Sequence, residues 1–126
     1  MMSAREVVFF LLGAGCTAAP IAHAHHSWSN DYDLSRSTVI SGTVARFVYQ
    51  NPHSSIVIDV LDPNGKRERW TAGWGSPQRL RERGIHAQWL RAGDPVYVIG
   101  NPHRNEKTRA LRVQSLQRLD AAAERD

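Results

Sequence analysis

Residues 76–84 read Ser-Pro-Gln-Arg-Leu-Arg-Glu-Arg-Gly, and this stretch predicts one short helix in a chain whose neighbouring segments read as strands. Serine is a favoured N-cap residue, and proline suits the first helical position because its fixed φ matches a helix. Gly84 is expected to end the helix, since glycine readily adopts the left-handed conformation found after a helix C-terminus. A single helix at this place restricts the folds that the flanking strands can form.

Three strands are predicted before this helix. Residues 38–49 are rich in β-branched side chains and contain Gly42, at which we expect the strand to bend or bulge. Residues 55–61 alternate between apolar and polar side chains, as a half-buried strand does. The turn at 62–65 reads Asp-Pro-Asn-Gly, a hairpin signal, and residues 67–74 return as the third strand.

Two strands are predicted after the helix, at residues 96–100 and 108–119. Three strands, a short helix and two further strands is the element order of the OB-fold. We therefore predict a mainly β protein, a small OB-fold-like five-stranded barrel with one short helix between strands 3 and 4. A small β-sandwich is the competing fold, and the position of the helix favours the barrel.

The N-terminal segment is predicted to direct export. An apolar run from Val7 to Ala19 is too short for a convincing membrane span. Ala22-His23-Ala24 then has the small-x-small pattern that signal peptidase requires. The expected division is a signal peptide at 1–24, a single OB-like domain at 25–120 and a disordered tail at 121–126, with the mature protein periplasmic or secreted.

Two alternatives to a cleaved signal peptide are open. Leu12-Gly13-Ala14-Gly15-Cys16 loosely resembles a lipoprotein cleavage site, although the leucine is one position too early. The same segment also suits an amphipathic helix that is retained in the core. Since Cys16 is the chain's one cysteine, we expect no disulfide in the mature domain.

Charge and composition led to an expectation about partners. The formal net charge is +4, and basic residues alternate with acidic ones at 67–69 and 81–83, which is typical of a solvated surface. The sequence contains no base-stacking motif with interleaved lysines. We expect a small-molecule, metal or protein partner in the periplasm, no nucleic acid, and no transmembrane span in the mature form.

The histidines form the first candidate site. Asn-Pro-His occurs at 51–53 and again at 101–103, in the two turns that flank the usual ligand face of an OB-fold. Cleavage after Ala24 would free the amine of His25, and a terminal histidine can offer its amine and its ring to one metal ion. With a second histidine this makes a nitrogen set that suits Cu(II).

We therefore predict a binding domain, not an enzyme, with copper as the candidate cofactor. The metal ligands would be His25 and His53, with His26 or His103 assisting. Cleavage two residues earlier would place a histidine third, an arrangement that also binds Cu(II). The other interpretation is that His53 and His103 are polar turn residues and that His25 and His26 belong to a disordered arm.

The tryptophans form a second candidate site. Trp70 and Trp74 share one face of the third predicted strand, and Trp28 lies in the arm at 25–36, which we expect to be extended. Such aromatics can hold an apolar or sugar ligand without metal, or they can be core residues. A copper-dependent oxidase is a third and less favoured function, because the chain is short for a flat polysaccharide surface.

Short motifs in a specific order also resemble a known family. The chain is similar to an uncharacterised family of exported bacterial proteins, domain of unknown function 6152, over residues 25–119. The resemblance implies a secreted or periplasmic β domain, and it favours His25, His26 and His53 over His103 as ligands. It rests on His25-His26-Ser27-Trp28, Ser41-Gly42-Thr43-Val44, Asn51-Pro52-His53, Trp70, Ser76-Pro77, Leu80, Gly84 and Gly93-Asp94-Pro95-Val96.

Overall fold

The computed structural model describes residues 27–119 of the chain. The predicted signal peptide at 1–24 and the predicted tail at 121–126 lie outside the described residues and stay predictions. No helix within 27–119 has the length and hydropathy needed to cross a membrane. The elements are α1 (Trp28–Asp31), β1 (Thr38–Val48), β2 (Ser55–Leu61), β3 (Arg67–Gly73), α2 (Pro77–Glu82), β4 (Pro95–Pro102) and β5 (Ala110–Arg118).

The five strands of this part close into one barrel in the order β1-β2-β3-β5-β4. Neighbouring strands are antiparallel, except that β3 and β5 run parallel where 71–73 pair with 110–112. The helix α2 follows β3 and precedes β4. The predicted OB-like barrel with a short helix between strands 3 and 4 is therefore confirmed, and the sandwich alternative is not adopted.

The β2–β3 hairpin forms at the predicted turn because Asp62 organises its backbone. One carboxylate oxygen of Asp62 accepts hydrogen bonds from the backbone N–H groups of Asn64 and Lys66, at 2.9 and 2.8 Å. Such Asx turns favour a tight chain reversal. The strands then pair in continuous register from Leu61 with Arg67 to Ser55 with Gly73.

Gly42 allows β1 and β2 to lie close together. The bulge that we predicted at Gly42 lies further along β1. The register of β1 against β2 shifts between Val44 and Arg46. A Cβ atom at Gly42 would overlap the carbonyl oxygen of Asp59 on β2. The glycine therefore lets β1 pass close to β2, while the irregular pairing that bends the strand falls after it.

The barrel interior is filled by aliphatic side chains from alternating positions. Ile56 and Ile58 of β2, Val96 and Val98 of β4, and Leu111 of β5 are completely shielded from solvent. Burying one such side chain stabilises the fold by about 1.5–3 kcal/mol. The alternation seen in the sequence thus supplies the core of a closed barrel.

The helix α2 is capped as predicted and packs against the barrel. The side-chain oxygen of Ser76 accepts a hydrogen bond from the backbone N–H of Arg79 at 3.4 Å. Leu80 is buried in the core, and the hydroxyl of Tyr49 donates to the carbonyl of Pro77 at 3.0 Å. One face of α2 is therefore fixed on the barrel, while its arginines stay exposed.

Residues 27–36, called the arm below, lie against the barrel. The prediction that the arm is extended is wrong for its first residues, because Trp28–Asp31 forms one helical turn. The turn closes with the N–H of Tyr32 donating to the carbonyl of Trp28 at 2.9 Å. Tyr32 then forms an isolated antiparallel bridge with His103. The arm is thus held to the turn that follows β4.

Candidate functional site

Two adjoining cavities form a cleft between α1, the β1–β2 turn, α2 and β5. Their volumes are about 350 Å³ and about 490 Å³. Trp28, Gly75, Arg79 and Arg112 line both cavities, so the two spaces share one wall. We call them together the cleft, and their volumes are within the range of small-ligand pockets.

Three arginines line the cleft. Arg79 and Arg83 come from one face of α2 and its C-terminal cap, four residues apart, and Arg112 comes from β5. None of the three forms an ion pair with a carboxylate of the described residues. Glu82 also lines the cleft, where it accepts a hydrogen bond from Gln78 at 3.3 Å. The cleft therefore carries an excess of positive charge.

An aromatic cluster surrounds Trp28, which lines the cleft. The ring centroid of Trp28 lies 4.7 Å from that of His53 and 5.4 Å from that of Tyr32. The guanidinium carbon of Arg112 lies 5.6 Å from the Trp28 ring, a cation–π geometry. Gly73 provides the space for this packing, because a Cβ atom there would lie 2.9 Å from two carbons of the indole.

The structure does not bring the two loop histidines into one ligand set. His53 is exposed at the cleft. His103 packs edge-on against Tyr32 at 5.4 Å, and its Nδ1 accepts a hydrogen bond from the N–H of Asn105 at 3.0 Å. The rings of Trp28 and Tyr32 thus stand between the two imidazoles. Within 27–119 there is no group of three or more His, Cys, Asp or Glu residues that could hold a metal ion.

His25 and His26, the other predicted metal ligands, lie outside the described residues. The described chain begins at Ser27, and Ser27 lines the same cavity as His53. The role of the two predicted ligands upstream stays a prediction.

The repeated Asn-Pro-His motif adopts two different local structures. Asn51 and Pro52 lie outside the strands and are joined by a cis peptide bond. Asn101 and Pro102, by contrast, belong to β4, and Asn101 is 1% exposed. Its side-chain amide donates to the carbonyl of Arg36 at 2.8 Å. The second motif is therefore a buried anchor for the arm and not the turn that we predicted.

Trp70 and Trp74 do not share one site. Trp74 follows β3, belongs to the hydrophobic core at 6% exposure and lines the cleft. Trp70 lies under the guanidinium of Arg109, 5.7 Å from its ring, and lines a separate cavity of about 230 Å³ with His103. Its indole nitrogen is buried without a hydrogen-bond partner among the described residues.

Two acidic groups of the arm have shifted pKa values. Burial raises the pKa of the Tyr32 hydroxyl, and the nearby charge of Asp31 raises it further. Hydrogen bonds from the hydroxyl and backbone N–H of Ser35, at 2.6 and 3.1 Å, lower the pKa of the Asp33 carboxyl. The positive charges of Arg104 and Arg36 act in the same direction on Asp33.

Sequence reasoning missed the arginines of the cleft. The four-residue spacing of Arg79 and Arg83 on a predicted helix places them on one face, and this signal was available. The contribution of Arg112 was not available, because it depends on where β5 lies relative to α2. The role of Gly73, which is to leave space for Trp28, was likewise not available from the sequence, because it depends on how the arm packs on β3.

The comparison with family models settles the membership of the chain. The model described as Family of unknown function (DUF6152) matches residues 14–112. The chain belongs to DUF6152. The resemblance noted in the sequence is therefore confirmed. No match is found among the curated proteins.

Solved structures of similar fold include single-stranded DNA-binding proteins. The mitochondrial single-stranded DNA-binding protein of S. cerevisiae is 15% identical with a TM-score of 0.52, covering 71% of this chain and 96% of that one. A chain of the S. pombe Stn1–Ten1 complex is 16% identical with a TM-score of 0.50, covering 70% of this chain and 61% of that one. At such identities the similarity establishes the OB-type fold alone.

The exclusion of nucleic acid as a partner is wrong. It rested on a moderate overall charge and on the lack of a familiar stacking motif, whereas the yeast protein with a similar fold is a single-stranded DNA-binding protein. The physical reason for the error is that net charge averages over the whole surface. In the folded chain Arg79, Arg83 and Arg112 are concentrated at one cleft next to aromatic rings.

Proposed function

We propose that this DUF6152 chain is an exported binding module whose cleft takes an anionic, phosphate-bearing ligand. The observation that carries the proposal is the convergence of Arg79, Arg83 and Arg112 on the cleft without a carboxylate partner among the described residues. Guanidinium groups present planar forks of N–H donors that match phosphate oxygens. An anion in this place would meet all three side chains, of which Arg112 already donates to the side-chain oxygen of Asn101 at 3.5 Å.

Electrostatics supports an anion as the occupant. Like charges held near one another in a partly sheltered cleft repel, and a bound counter-charge relieves this repulsion. Concave walls also concentrate the field and raise the local concentration of ligands of opposite sign. The single acidic lining residue, Glu82, does not offset three guanidinium groups.

The phosphate group has two possible sources, a single-stranded nucleic acid or a small phosphorylated molecule. OB-folds bind oligonucleotides on the face bordered by the β1–β2 and β4–β5 turns. Single strands are held by backbone phosphates in a basic groove and by bases stacked on aromatic rings. The cleft offers both kinds of group, in the guanidiniums and in the imidazole of His53, on which Trp28 packs in this structure.

Binding measurements on the mature chain test this proposal. The probes are a short labelled deoxythymidine oligonucleotide, followed by anisotropy, and adenosine monophosphate and inorganic phosphate, followed by calorimetry. We expect Arg79→Gln and Arg83→Gln each to weaken binding by about tenfold or more, because a hydrogen bond to a charged group is worth about 1.5–3 kcal/mol and each 1.4 kcal/mol is about tenfold. Arg46→Gln is the control, since Arg46 is exposed on β1 and does not line the cleft.

The pattern of binding distinguishes the sources. A strand as the ligand gives oligonucleotide binding whose affinity falls with salt, with a slope of about 0.7 per phosphate contacted on the logarithmic scale. A small phosphorylated ligand gives binding of the monophosphate that the oligonucleotide does not improve. Binding that Arg79→Gln and Arg46→Gln affect equally, or no binding of any probe, contradicts the proposal.

We also propose Cu(II) binding at the mature N-terminus as a second function. The supporting observation is that Ser27 and His53 line the same cavity. His25 is two positions before Ser27 in the sequence, and two residues of chain span about 7 Å at most between Cα atoms. In this proposal His25 and His53 bind the metal with His26 assisting, and His103 is left out because it packs on Tyr32.

Two measurements test the copper proposal. The mass of the mature protein from the periplasm determines whether His25 is the first residue and whether the chain is exported. Titration with Cu(II), followed by electron paramagnetic resonance, should give equimolar binding that His53→Ala weakens and His86→Ala, an exposed control, does not. Equimolar binding that survives an added N-terminal residue, or that ignores His53→Ala, contradicts the proposal.

A further inference from the structure

The arm crosses the barrel between the two turns that border the usual ligand groove of an OB-fold. At one end the indole of Trp28 packs on His53, after β1, with 4.7 Å between ring centroids. At the other end Tyr32 forms a bridge with His103, after β4. These turns flank the face on which OB-folds bind oligonucleotides. The arm therefore lies where a ligand strand would lie.

The arm also has the chemistry of a short anionic strand. Residues 28–33 read Trp-Ser-Asn-Asp-Tyr-Asp, which places two aromatic rings and two carboxylates within six positions. The positive charges of Arg104 and Arg36 act on the carboxylate of Asp33, and the side chain of Arg104 donates to the carbonyl of Ser29 at 3.0 Å. The rings of the arm thus pack on His53 and His103, and the carboxylate of Asp33 lies near Arg104 of the β4–β5 turn.

Trp28 occupies a slot that suits any flat ring. Its indole has the imidazole of His53 and the guanidinium of Arg112 as neighbours, and its edge reaches the backbone of Gly73, where no side chain intrudes. A nucleobase stacks on the same kinds of group. The slot is also contiguous with the cleft, because Trp28 lines both of its cavities.

We propose that the arm is an intramolecular competitor, which holds Trp28 in a slot that the ring of a phosphate-bearing ligand takes when the arm is displaced. This inference rests on the proposed anion-binding function and names its ligand class more closely, as a phosphate next to a planar base. It also gives the site a regulator, since any event that releases the arm opens the slot.

Release of the arm does not require the barrel to unfold. The helix α1 contains no buried residue, and segments with few buried apolar contacts open locally at low free-energy cost. The downstream end stays attached, because the buried side chain of Asn101 donates to the carbonyls of Leu34 and Arg36 at 3.4 and 2.8 Å. The arm can therefore swing away from the slot while it remains tethered.

Two variants that release the arm in different ways test the inference on the full mature chain. Trp28→Ala empties the slot. Tyr32→Ala removes the ring that packs on Trp28 and on His103, so it weakens the far anchor while the backbone bridge stays, and it does not alter the lining of the cleft. Because a competing conformer reduces apparent affinity by the fraction of molecules that are open, we expect both to tighten oligonucleotide binding by about fivefold or more. Tyr97→Ala, exposed on β4, is the control.

Inorganic phosphate separates this inference from the proposed function. It carries no ring, so its affinity should change less than about twofold in Trp28→Ala. If phosphate binds and Arg79→Gln weakens it, the proposed function stands. In that case, an oligonucleotide affinity that is unchanged or weaker in both Trp28→Ala and Tyr32→Ala would overturn the inference that the arm competes with the ligand, and it would leave the proposed function intact. If no probe binds the wild type or either variant, both proposals fail.

Amide hydrogen exchange gives a readout on the wild type itself. The N–H of Asp33 donates to the carbonyl of Pro102 at 2.9 Å, and the N–H of Arg104 donates to that of Asp31 at 2.8 Å. Saturation with the oligonucleotide should accelerate exchange of both amides, since the arm leaves the barrel. Slower exchange on saturation would mean that the arm is part of the bound complex, and it would overturn the inference. Circular dichroism of each variant checks that the barrel is intact.

Discussion

Replacement of Gly73 by alanine tests the contact between the arm and the barrel. Gly73 is the last residue of β3, is buried, and does not have a positive φ, so alanine fits its backbone. The added Cβ would lie 2.9 Å from Cη2 and Cζ3 of Trp28, while the next atom, the carbonyl oxygen of Leu111, is 3.8 Å away. We therefore expect Gly73→Ala to push the indole out of its slot and to leave the strand in place.

The size of the effect follows from the contacts that Trp28 loses. Its aromatic contact with His53 is worth about 0.5–1.5 kcal/mol, and the cation–π contact with Arg112 about 0.5–1 kcal/mol. Replacing glycine by alanine also stabilises the folded state by about 0.4–1 kcal/mol, because alanine lowers the conformational entropy of the unfolded chain. Gly73→Ala should thus destabilise the wild type by about 1 kcal/mol and stabilise the Trp28→Ala protein slightly.

A double-mutant cycle measures this coupling. The wild type, Gly73→Ala, Trp28→Ala and the double variant are unfolded in urea and followed by far-ultraviolet circular dichroism. We expect an interaction free energy of about 1–2.5 kcal/mol between the two positions, since both changes remove the same contacts. A value near zero, with Gly73→Ala equally costly in both backgrounds, would show that Trp28 does not rest on Gly73 and would refute the reasoning.

Three further predictions concern the core, the surface and the arm. Ile58→Ala, at a fully buried position, should lower the free energy of unfolding by about 2–5 kcal/mol in urea titration, and a loss below 1 kcal/mol would contradict the described core. NMR titration should give the Asp59 carboxyl a pKa below its ordinary value, because Arg69 donates a hydrogen bond to it and forms an ion pair with it at 2.9 Å. The small stabilising effect of this pair is present above the pKa of Asp59 in the unfolded chain and is lost as pH falls through the lowered pKa of the folded chain. Arg69→Gln should restore an ordinary pKa. Burial and the charge of Asp31 raise the pKa of Tyr32, so the neutral phenol favours the docked arm. Docking should therefore weaken as pH rises from about 10 through the raised pKa. If hydrogen exchange of the arm depends on pH equally in the wild type and in Tyr32→Phe, this prediction is wrong.

Short-range signals predicted the elements of the barrel. Ser76 followed by proline predicted the start of α2, and the observed cap uses the Ser76 side chain. Asp62 and the residues after it predicted the hairpin, and the carboxylate of Asp62 forms its hydrogen bonds. These features depend on neighbours within four residues, so the sequence displays them directly. The order of the elements then favoured a barrel over a sandwich.

Short sequence motifs gave wrong predictions where the neighbours of a residue in the fold are distant in the sequence. The two Asn-Pro-His motifs are identical in sequence, yet Asn51 lies in a turn and Asn101 is buried in β4. The difference arises because Asn101 pairs with Arg112 of β5 and binds the arm through Arg36. Local propensity cannot distinguish the two, and the predicted meeting of His53 and His103 failed for this reason.

Local patterns in the sequence were enough to predict the five strands and the helix between the third and fourth, because alternation, caps and turns act over a few residues, and the order of the motifs was enough to predict the family. The tertiary structure alone decided which side chains share a site. In the closed barrel Arg112 of β5 lines the same cleft as Arg79 of α2, and Trp28 of the arm lies in the slot beside Gly73. Charge and aromatic rings that are dispersed along the chain become a site through contacts between residues far apart in sequence, and no local pattern records those contacts.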